Sequence, residues 1–452
     1  MNQQETDKAK NSDNATGGPG LPPPRGPWKI LWMRLRKNRI AMIGGVILIF
    51  LYFISCFAGF LSPYDFNEVN TSTARYGPML LGGFSLEEIG RHEVEIENED
   101  FEWVYVEKPE FKRKWNWFSG GLTFFNNEGN FTLRPHVHAL REYVSYDEDG
   151  ETSYYLASDP DVRIPIRFFP KRAENSDPVE IASLCGFFKI KGRTKLFGVD
   201  RPADWQELGE EARSMHAEVF LLGSDQNGRD LMTRIFFGGQ ISMSVGLLGI
   251  LISMTIGLVF GGISGYYGGV TDFTMMRVTE LLMAIPGLYL ILTLRYVIPT
   301  NLDSRQTYLM IVAILALAGW ASLGRVIRGM VLSLKENEYA LAARALGAKD
   351  GRVILRHILP NTASFVIVTA TLYVPYYILG EVALSFLGLG ISEPDTSWGL
   401  LLKDAQNSQV LKYSPWLILP GFFIFFAVLA YNFLGDGLRD AADPRAVLSK
   451  SK

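Results

Sequence analysis

Apolar residues gather into runs along this chain, and polar residues fill the intervals. Six stretches approach the roughly 20 mostly apolar residues that cross a hydrocarbon layer as a helix: 40–61, 241–270, 275–297, 307–323, 362–387 and 413–435. The first two contain no Asp, Glu, Lys or Arg. Within the second, Ser253, Gly257, Gly261 and Gly265 recur every four residues, a stripe of small side chains that predicts close helix packing. The third contains Arg277, Glu280 and Arg295, and Pro286 is set to bend it. The fifth contains Glu381, preceded by Pro375 and Gly380. Between the first two runs lies a polar segment, 62–219, that alternates in places as strands do: "FEWVYVEK" at 101–108, "VRIPIRFF" at 162–169 and "GFFKIKGRTKLFGV" at 186–199. "DEDG" at 147–150, between "YVSY" and "SYYLA", reads as a hairpin turn. The pattern predicts an all-α membrane protein of six transmembrane helices, with a β-rich insert between helices 1 and 2.

The positive residues orient this arrangement. Lys29, Arg34, Arg36, Lys37 and Arg39 precede the first run, and Arg325, Arg328, Lys335, Arg344, Lys349, Arg352 and Arg356 follow the fourth. Arg439, Arg445, Lys450 and Lys452 follow the sixth, whereas the short loops on the other side hold Arg305, Lys403 and Lys412. The excess predicts that both termini and the loop after the fourth run face the cytoplasm and the insert faces outward. The expected organisation is a disordered cytoplasmic tail over 1–27, ending in "GGPGLPPPRGP" and without the pattern of a signal peptide. An amphipathic entry segment and first helix over 28–61 follow, then the external insert over 62–219. A membrane domain covers 220–440, with a cytoplasmic loop at 325–361, and a short cytoplasmic tail takes 441–452.

Composition adds exclusions. The mean hydropathy of +0.10 over 452 residues conceals the clustering, and a net charge of −3 argues against a nucleic-acid partner. Cys56 lies in an apolar run and Cys185 in the polar segment, so no disulfide framework is expected. The chain has no Gly-Lys dipeptide, which excludes a phosphate-binding P-loop, and no His-Glu-x-x-His pattern. His136 and His138 are two apart, on one face if the segment is a strand, but no cysteine or carboxylate stands at a spacing that would complete a metal site. Ionisable groups at membrane depth mark paths or pairs. Arg277 and Glu280 share a helix face and can pair with each other, Pro286 offers a bending point, and Glu381 either lines a path or pairs with a neighbouring subunit. Glu280, Pro286 and Glu381 are thus candidates for the translocation path or its gating.

The loop after the fourth run reads "ENEYALAARALGAKDGRVILRHILPN" from 336 to 361. Residues 338–346 are strong helix formers, Gly347 suits the left-handed position that ends a helix, and 353–359 restart before Pro360. Two short helices at an angle are expected, with Ala342 and Ala343 leaving room for close contact. The residues alone admit two uses: docking into a groove of another protein, or rest on the lipid headgroups.

"EYALAARALGA" and "ILRHILPN" resemble the cytoplasmic EAA loop of ABC-type importer permeases, in the form found in oligopeptide and dipeptide permeases. "WMRLRKNRIAMIGGVIL" at 32–48 resembles the entry to the first span of their C-type subunit. "LLGSDQNGRDLMTRIFFGGQISMSVG" at 221–246 resembles the family signature GTDxxGRDxxSRxxxGxRxSLxxG. "EVALSFLGLGI" at 381–391, "SWGLLL" at 397–402 and "NFLGDGLRDAADPR" at 432–445 fit as well. The chain departs from the pattern at Leu341, Phe220 and Gln240, where the family carries glutamate, histidine and arginine, and its insert is longer. "RIPIRFF" and "KLFGVD" resemble an extended subgroup. The resemblance implies a type I importer permease in the bacterial inner membrane, serving ATP-driven uptake of peptides or related solutes. Its implied partners are a homologous second permease, two ATPase subunits and an external solute-binding protein. Glu338, Tyr339, Ala342, Ala343, Gly347, Arg356, His357 and Pro360 would form the ATPase-coupling surface. No metal or cofactor is expected on this chain, since ATP and Mg belong to the ATPases. The competing classes are a secondary transporter, which predicts inverted repeats with paired broken helices, and a membrane-anchored receptor or assembly protein working through the insert.

Overall fold

The computed structural model describes residues 27–66, 68–69, 76–80, 82–97, 103–117, 122–125, 131–146, 152–170, 179–184, 188–199, 215–297, 299 and 302–442. The tail before residue 27, the 147–150 turn, Cys185 and residues 443–452 lie outside the described residues. The apolar runs are helices. α1 (Pro27–Leu35) starts on a proline, and α2 (Arg39–Cys56) is capped by Asn38, whose side chain accepts from the Ala41 amide at 3.2 Å. One further turn, α3 (Ala58–Leu61), leads into the insert. Beyond the insert come α4 (Leu231–Tyr267), α5 (Gly269–Ala284), α6 (Gly287–Val297) and α7 (Ser304–Leu334). They are followed by α8 (Glu338–Ala345), α9 (Asp350–Arg352), α10 (Ala363–Phe386), α11 (Trp398–Lys403), α12 (Ser408–Tyr413) and α13 (Leu419–Ala442).

Among the described residues five helical stretches are long and apolar enough to cross a membrane, and the pair α5–α6 makes a sixth when counted as one span. That third span is not straight. The pair is bent by 91°, because Ile285, the residue before Pro286, is held in the extended region (φ −86°, ψ 126°) as a pre-proline residue prefers. The fourth span starts earlier than the apolar run does. Asp303 accepts from the Gln306 amide at 2.6 Å while the Gln306 side chain returns a bond to the Asp303 amide at 3.3 Å, a capping box that sets the helix start at Ser304.

The insert is β-rich. β1 (Gly82–Glu97) and β2 (Trp103–Trp117) form a long antiparallel ribbon, from Gly82 opposite Trp117 to Glu97 opposite Trp103. β3 (Thr123–Phe125), β4 (Phe131–Tyr146), β5 (Thr152–Phe168) and β8 (Phe197–Val199) pair in that order, and β9 (Met215–His216) joins the other side of β4. Tyr146 stands opposite Thr152, so the strands flanking the predicted turn do pair as a hairpin. β6 (Val179–Leu184) and β7 (Phe188–Gly192) form a separate hairpin against α3. A small core of Tyr76, Met79, Val137, Leu140, Ile164 and Phe220 closes the insert over the end of the bundle.

Within the bundle α4 is the central rod, packed along α7 and also touching α10 and α2, while α13 packs on α2 and α10. The stripe of small residues explains the α4–α7 contact. A Cβ on Gly261 would meet the Gly324 carbonyl oxygen at 2.5 Å and Ile327 Cβ at 2.8 Å, and one on Gly265 would meet the Arg328 carbonyl oxygen at 2.8 Å. Ser253 donates to the Ala316 carbonyl at 2.8 Å and accepts from Tyr377 of α10 at 2.6 Å. The outward faces stay apolar: Ile43, Val46, Ile49 and Phe50 on α2, and Phe422, Phe425 and Phe426 on α13. Lipid is the solvent that tolerates such a surface.

The backbone contact at Gly261 leaves no room for relaxation. Gly261→Ala should therefore lower the melting temperature of the purified protein in detergent, by a loss of about 1–3 kcal/mol. Gly329→Ala, where nothing lies within 4 Å of the added carbon, should leave it unchanged or slightly higher.

Candidate functional site

The segment between α7 and α10 folds as an elbow. α8 ends at Leu346, and Gly347 turns the chain at φ +78°, with its amide bonded to the Arg344 carbonyl at 2.8 Å and that of Ala348 to the Ala343 carbonyl at 3.1 Å. The second arm begins at Asp350 and does not end before the membrane helix. It widens into a π turn over Val353–Ile358, tightens to 3-10 over Leu359–Thr362, and runs on as α10. Pro360 accounts for the widening, because it has no N–H to offer the carbonyl of Arg356 and its ring displaces that turn. Asn361 and Thr362 then bond the carbonyls of His357 and Leu359 at 2.7 Å each.

The helical period divides the elbow into two faces. Ala340, Ala343, Val353, Ile354 and Ile358 are buried with Tyr266, Ile327 and Val331. Glu338, Tyr339, Ala342, Gly347, Arg356 and Pro360 are exposed and His357 is half-buried. Leu346 and Leu355, which sequence reasoning did not single out, are 89% and 69% exposed. Of the residues named for the coupling surface, Ala343 is the one that lies on the inward side, one turn from Ala340, where its small size lets the elbow pack on the bundle.

Four polar groups fasten the elbow to the rod. Tyr266, near the end of α4, donates from its hydroxyl to Asp350 at 2.6 Å, and the Arg344 guanidinium sits 4.8 Å from the centre of its ring. Lys335 reaches the Tyr266 carbonyl at 3.3 Å. One step further along the chain, Asp272 of α5 takes a two-pronged bond from Arg328 of α7, at 2.5 Å on each oxygen, and another from Ser264 of α4. The elbow is thus bonded to α4, and α4 and α7 are in turn bonded to α5.

The opposite end of α4 carries a second polar assembly, in the stretch "GSDQNGRDLMTR". Gly223 and Gly228 adopt positive φ (87° and 72°) and fold the loop on itself. Asp225 accepts from the amides of Asn227 and Arg229 at 2.8 and 3.0 Å and from the Arg229 Nε at 2.7 Å. Arg229 then forks onto both oxygens of Glu393, at 2.8 and 2.6 Å, and Arg234 lies 3.3 Å from Asp225 and 3.6 Å from Glu393. Asp230 caps α4 through Thr233. Burial pushes the nearby Asp404 carboxyl up to about 6, helped by the charges of Asp225 and Glu393 and opposed by Arg229. This clamp ties the entry of α4 to the loop after α10. Its local half went unread in the sequence, although Asp225 and Arg229 standing four apart beside a glycine was a signal for it. Its other half, Glu393, lies 164 residues away.

The three path candidates fall in two places. Glu280 is exposed on α5, bonded to Arg277 at 2.7 Å, and Pro286 marks the bend beside it. Glu381 lies inside the bundle. It is 0% exposed, takes bonds from Ser242 at 2.8 Å and Ser385 at 2.7 Å, and Ser242 in turn accepts from the Trp398 amide. Both oxygens are satisfied inside this chain. The His136 and His138 rings lie 5.8 Å apart, and burial, with Arg163 nearby, pulls both below the ordinary imidazole range. Among the described residues no group of three metal-ligating side chains gathers there.

The bundle thus has one bent span and an elbow braced to its central rod. Residues 257–447 match the model of the binding-protein-dependent transport system inner membrane component, and 26–78 match the N-terminal transmembrane domain of oligopeptide transport permease C. The chain is 41% identical over 280 residues to the oligopeptide transport system permease protein OppC of Haemophilus influenzae, covering 62% of this chain and 86% of that one. It is 37% identical over 280 residues to OppC of Escherichia coli (62% and 89%), and 42% identical over 224 residues to the dipeptide transport system permease protein DppC of Bacillus subtilis (49% and 68%). The chain belongs to the binding-protein-dependent transport permeases of the inner membrane, a transport subunit and not itself an enzyme. The two family matches leave 79–256 uncovered, the stretch that holds most of the insert.

Removing one member of the buried clamp strands the others. Arg229→Leu should cost about 3–5 kcal/mol of stability, read as a loss of monodisperse folded protein. The sign for Asp404 runs the other way from a salt-bridged carboxylate. Its folded form keeps a proton up to about pH 6, whereas the unfolded chain loses it near about 4. Stability therefore falls as pH rises through that window. Asp404→Asn should flatten the melting temperature between pH 4 and 6, on the order of that window, and raise it at neutral pH.

Proposed function

We propose that this chain is one of two permease subunits of an ATP-driven importer of peptides or related solutes, and that the elbow receives the stroke of an ATPase. The observation that carries this reading is the two-faced elbow. Its inward face is locked to α4 and α7 through Tyr266, Arg344 and Asp350, while its outward face presents apolar Tyr339, Leu341, Leu346 and Leu355 beside Arg356. An apolar patch rimmed by charge fits a protein groove better than a headgroup layer. The excess of positive residues supports an elbow and termini on the cytoplasmic side and an insert on the outside. A homologous permease would complete the path against the exposed α5–α6 arm, with Glu280 and Pro286 on that surface. Two ATPases would supply ATP and Mg chemistry at the elbow, and a solute-binding protein would deliver cargo at the insert face. This chain holds no cofactor in that scheme. The names of the relatives support peptides as cargo. A secondary transporter would call for two broken helices in matching positions; among the described residues one bent pair is present.

Cysteines placed at Tyr339 or Leu346, in a background with Cys56 and Cys185 replaced, should crosslink to the ATPase and change yield with nucleotide. Crosslinks that never reach an ATPase, or labelling of these positions from outside sealed cells, would overturn the assignment. Asp350→Ala breaks a charged hydrogen bond of about 1.5–3 kcal/mol. In an assembled complex it should cut solute uptake by about tenfold or more per ATP hydrolysed, as the elbow moves without carrying α4.

A further inference from the structure

The apolar surface of the first span does not stop where the span does. Val46, Phe50, Phe53 and Phe57 are exposed and advance by three or four residues, so they form one stripe along α2 and just past its end. The Phe57 ring rests 4.8 Å from that of Phe53, and one turn on the Phe60 ring lies 6.3 Å from that of Phe169 of the insert. α2 is 18 residues long, about 27 Å, close to the roughly 30 Å of the hydrocarbon layer. Phe57 and Phe60 therefore stand at the boundary of that layer, and so does the part of the insert that touches them.

That part is fixed in place. The Leu196 amide donates to the Phe60 carbonyl at 2.7 Å, and the Phe169 amide donates to the Leu196 carbonyl at 2.9 Å. Buried Lys195 donates to the Pro63 carbonyl and to Asp65, both at 3.1 Å. β6 backs onto α3 at Gly59, where an added Cβ would strike the Glu180 carbonyl. The rim so held exposes what a surface in water would hide. Ile164 and Ile166 of β5 are buried, and by the strand period Phe168 should follow them inward. Phe168 is instead 57% exposed. Phe169 is 59% exposed and sits in the left-handed region at φ +55°, a strained conformation for so bulky a residue. Ile190 of β7 is 65% exposed. Within three residues of these in the chain stand exposed Arg167, Lys189, Lys191 and Arg193, of which Lys189 also pairs with Glu180 at 2.8 Å.

Height decides what covers this rim. We propose that it is a membrane contact of the insert: Phe168, Phe169 and Ile190 enter the boundary of the leaflet that the insert faces, and Arg167, Lys189, Lys191 and Arg193 meet the phosphates of anionic phospholipids. Apolar tips at the boundary with long cationic side chains just outside it make an interfacial anchor, and anionic headgroups supply the countercharge. The rim continues the lipid-facing stripe of α2 instead of opening a separate surface, and it lies in the stretch that neither family match covers. The contact depends on the first span crossing a bilayer, not on the elbow or on an ATPase.

The test puts a nitroxide spin label on Phe168→Cys or on Ile190→Cys, with Cys56 and Cys185 replaced, in the full-length protein with whatever subunits co-purify. The protein is held in nanodiscs of phosphatidylcholine, with or without phosphatidylglycerol. Collisions of the label are measured with oxygen, which concentrates in lipid, and with a neutral nickel chelate, which stays in water. Both labels are expected to fall between one at Val46, in the lipid-facing stripe, and one at Glu107, exposed on the β1–β2 ribbon. Phosphatidylglycerol is expected to cut nickel contact about fivefold or more. That response is expected to vanish when Arg167→Gln, Lys189→Gln, Lys191→Gln and Arg193→Gln are combined. Labels as open to nickel as the one at Glu107 would overturn the proposal. So would labels shielded from both reagents, which would mean that a protein covers the rim. Nickel contact indifferent to phosphatidylglycerol, or equally sensitive in the glutamine variant, would overturn it as well. Phe168 and Ile190 are both exposed, so neither cysteine disturbs the fold. Failed crosslinks at the elbow would sink the importer reading and leave this one standing.

Discussion

The close backbone approach of α4 and α7 is the contact on which the rest of the molecule depends. Lipid offers no hydrophobic force between helices, so association rests on packing and on bonds between them. Ser253, Gly257, Gly261 and Gly265 let the two axes come together until backbone meets backbone. The polar assemblies at the ends are then attached to one stiff pair. Tyr266 and Ser264 at one end of α4 hold the elbow and α5, and Arg229 and Arg234 at the other hold the loop after α10. Had α4 and α7 been separated by ordinary side chains, the Arg328–Asp272 bridge could not also reach Ser264.

Charge is distributed to suit that frame. The strong ion pairs stand at the two ends of the bundle, where water or headgroups lower the cost of carrying them. Glu381, a carboxyl deep in the apolar interior, is surrounded by hydroxyls instead of a cation. A buried acid held by two hydroxyl donors binds three elements, α4, α10 and α11, without requiring a compensating positive charge at membrane depth. Arg295 is solved differently: it is buried and donates to the Leu389 carbonyl at 2.5 Å, tying the end of α6 to the turn after α10.

Much of this was legible in the sequence, for reasons that differ from element to element. The spans were readable because a membrane helix needs an unbroken apolar run, and the bend at Pro286 because the preceding residue is forced to extend. The insert's alternation predicted strands, though not which would pair. The elbow's two short helices were readable, but its inward side was not. In an alanine-rich helix the period carries little contrast, and Ala342 and Ala343 look alike until the neighbours are placed. The surroundings of Glu381 were hidden for a related reason. A lone carboxylate in an apolar run looks exposed to something, and its partner Ser242 is 139 residues away. The clamp was quoted only as part of a family signature, and its physical role emerged once Glu393 was beside Arg229.

α4 is a single rod of 37 residues, about 55 Å from end to end and nearly twice the thickness of the hydrocarbon layer. A lever of that length needs little rotation. If it pivots near its middle by roughly 10°, each tip swings about 5 Å, in opposite directions. Stiffness thereby does the work usually assigned to a chain of intermediate contacts. Whatever tilts the rod from one aqueous compartment displaces the Arg229–Glu393 knot in the other, within the same movement and without any signal having to pass from residue to residue.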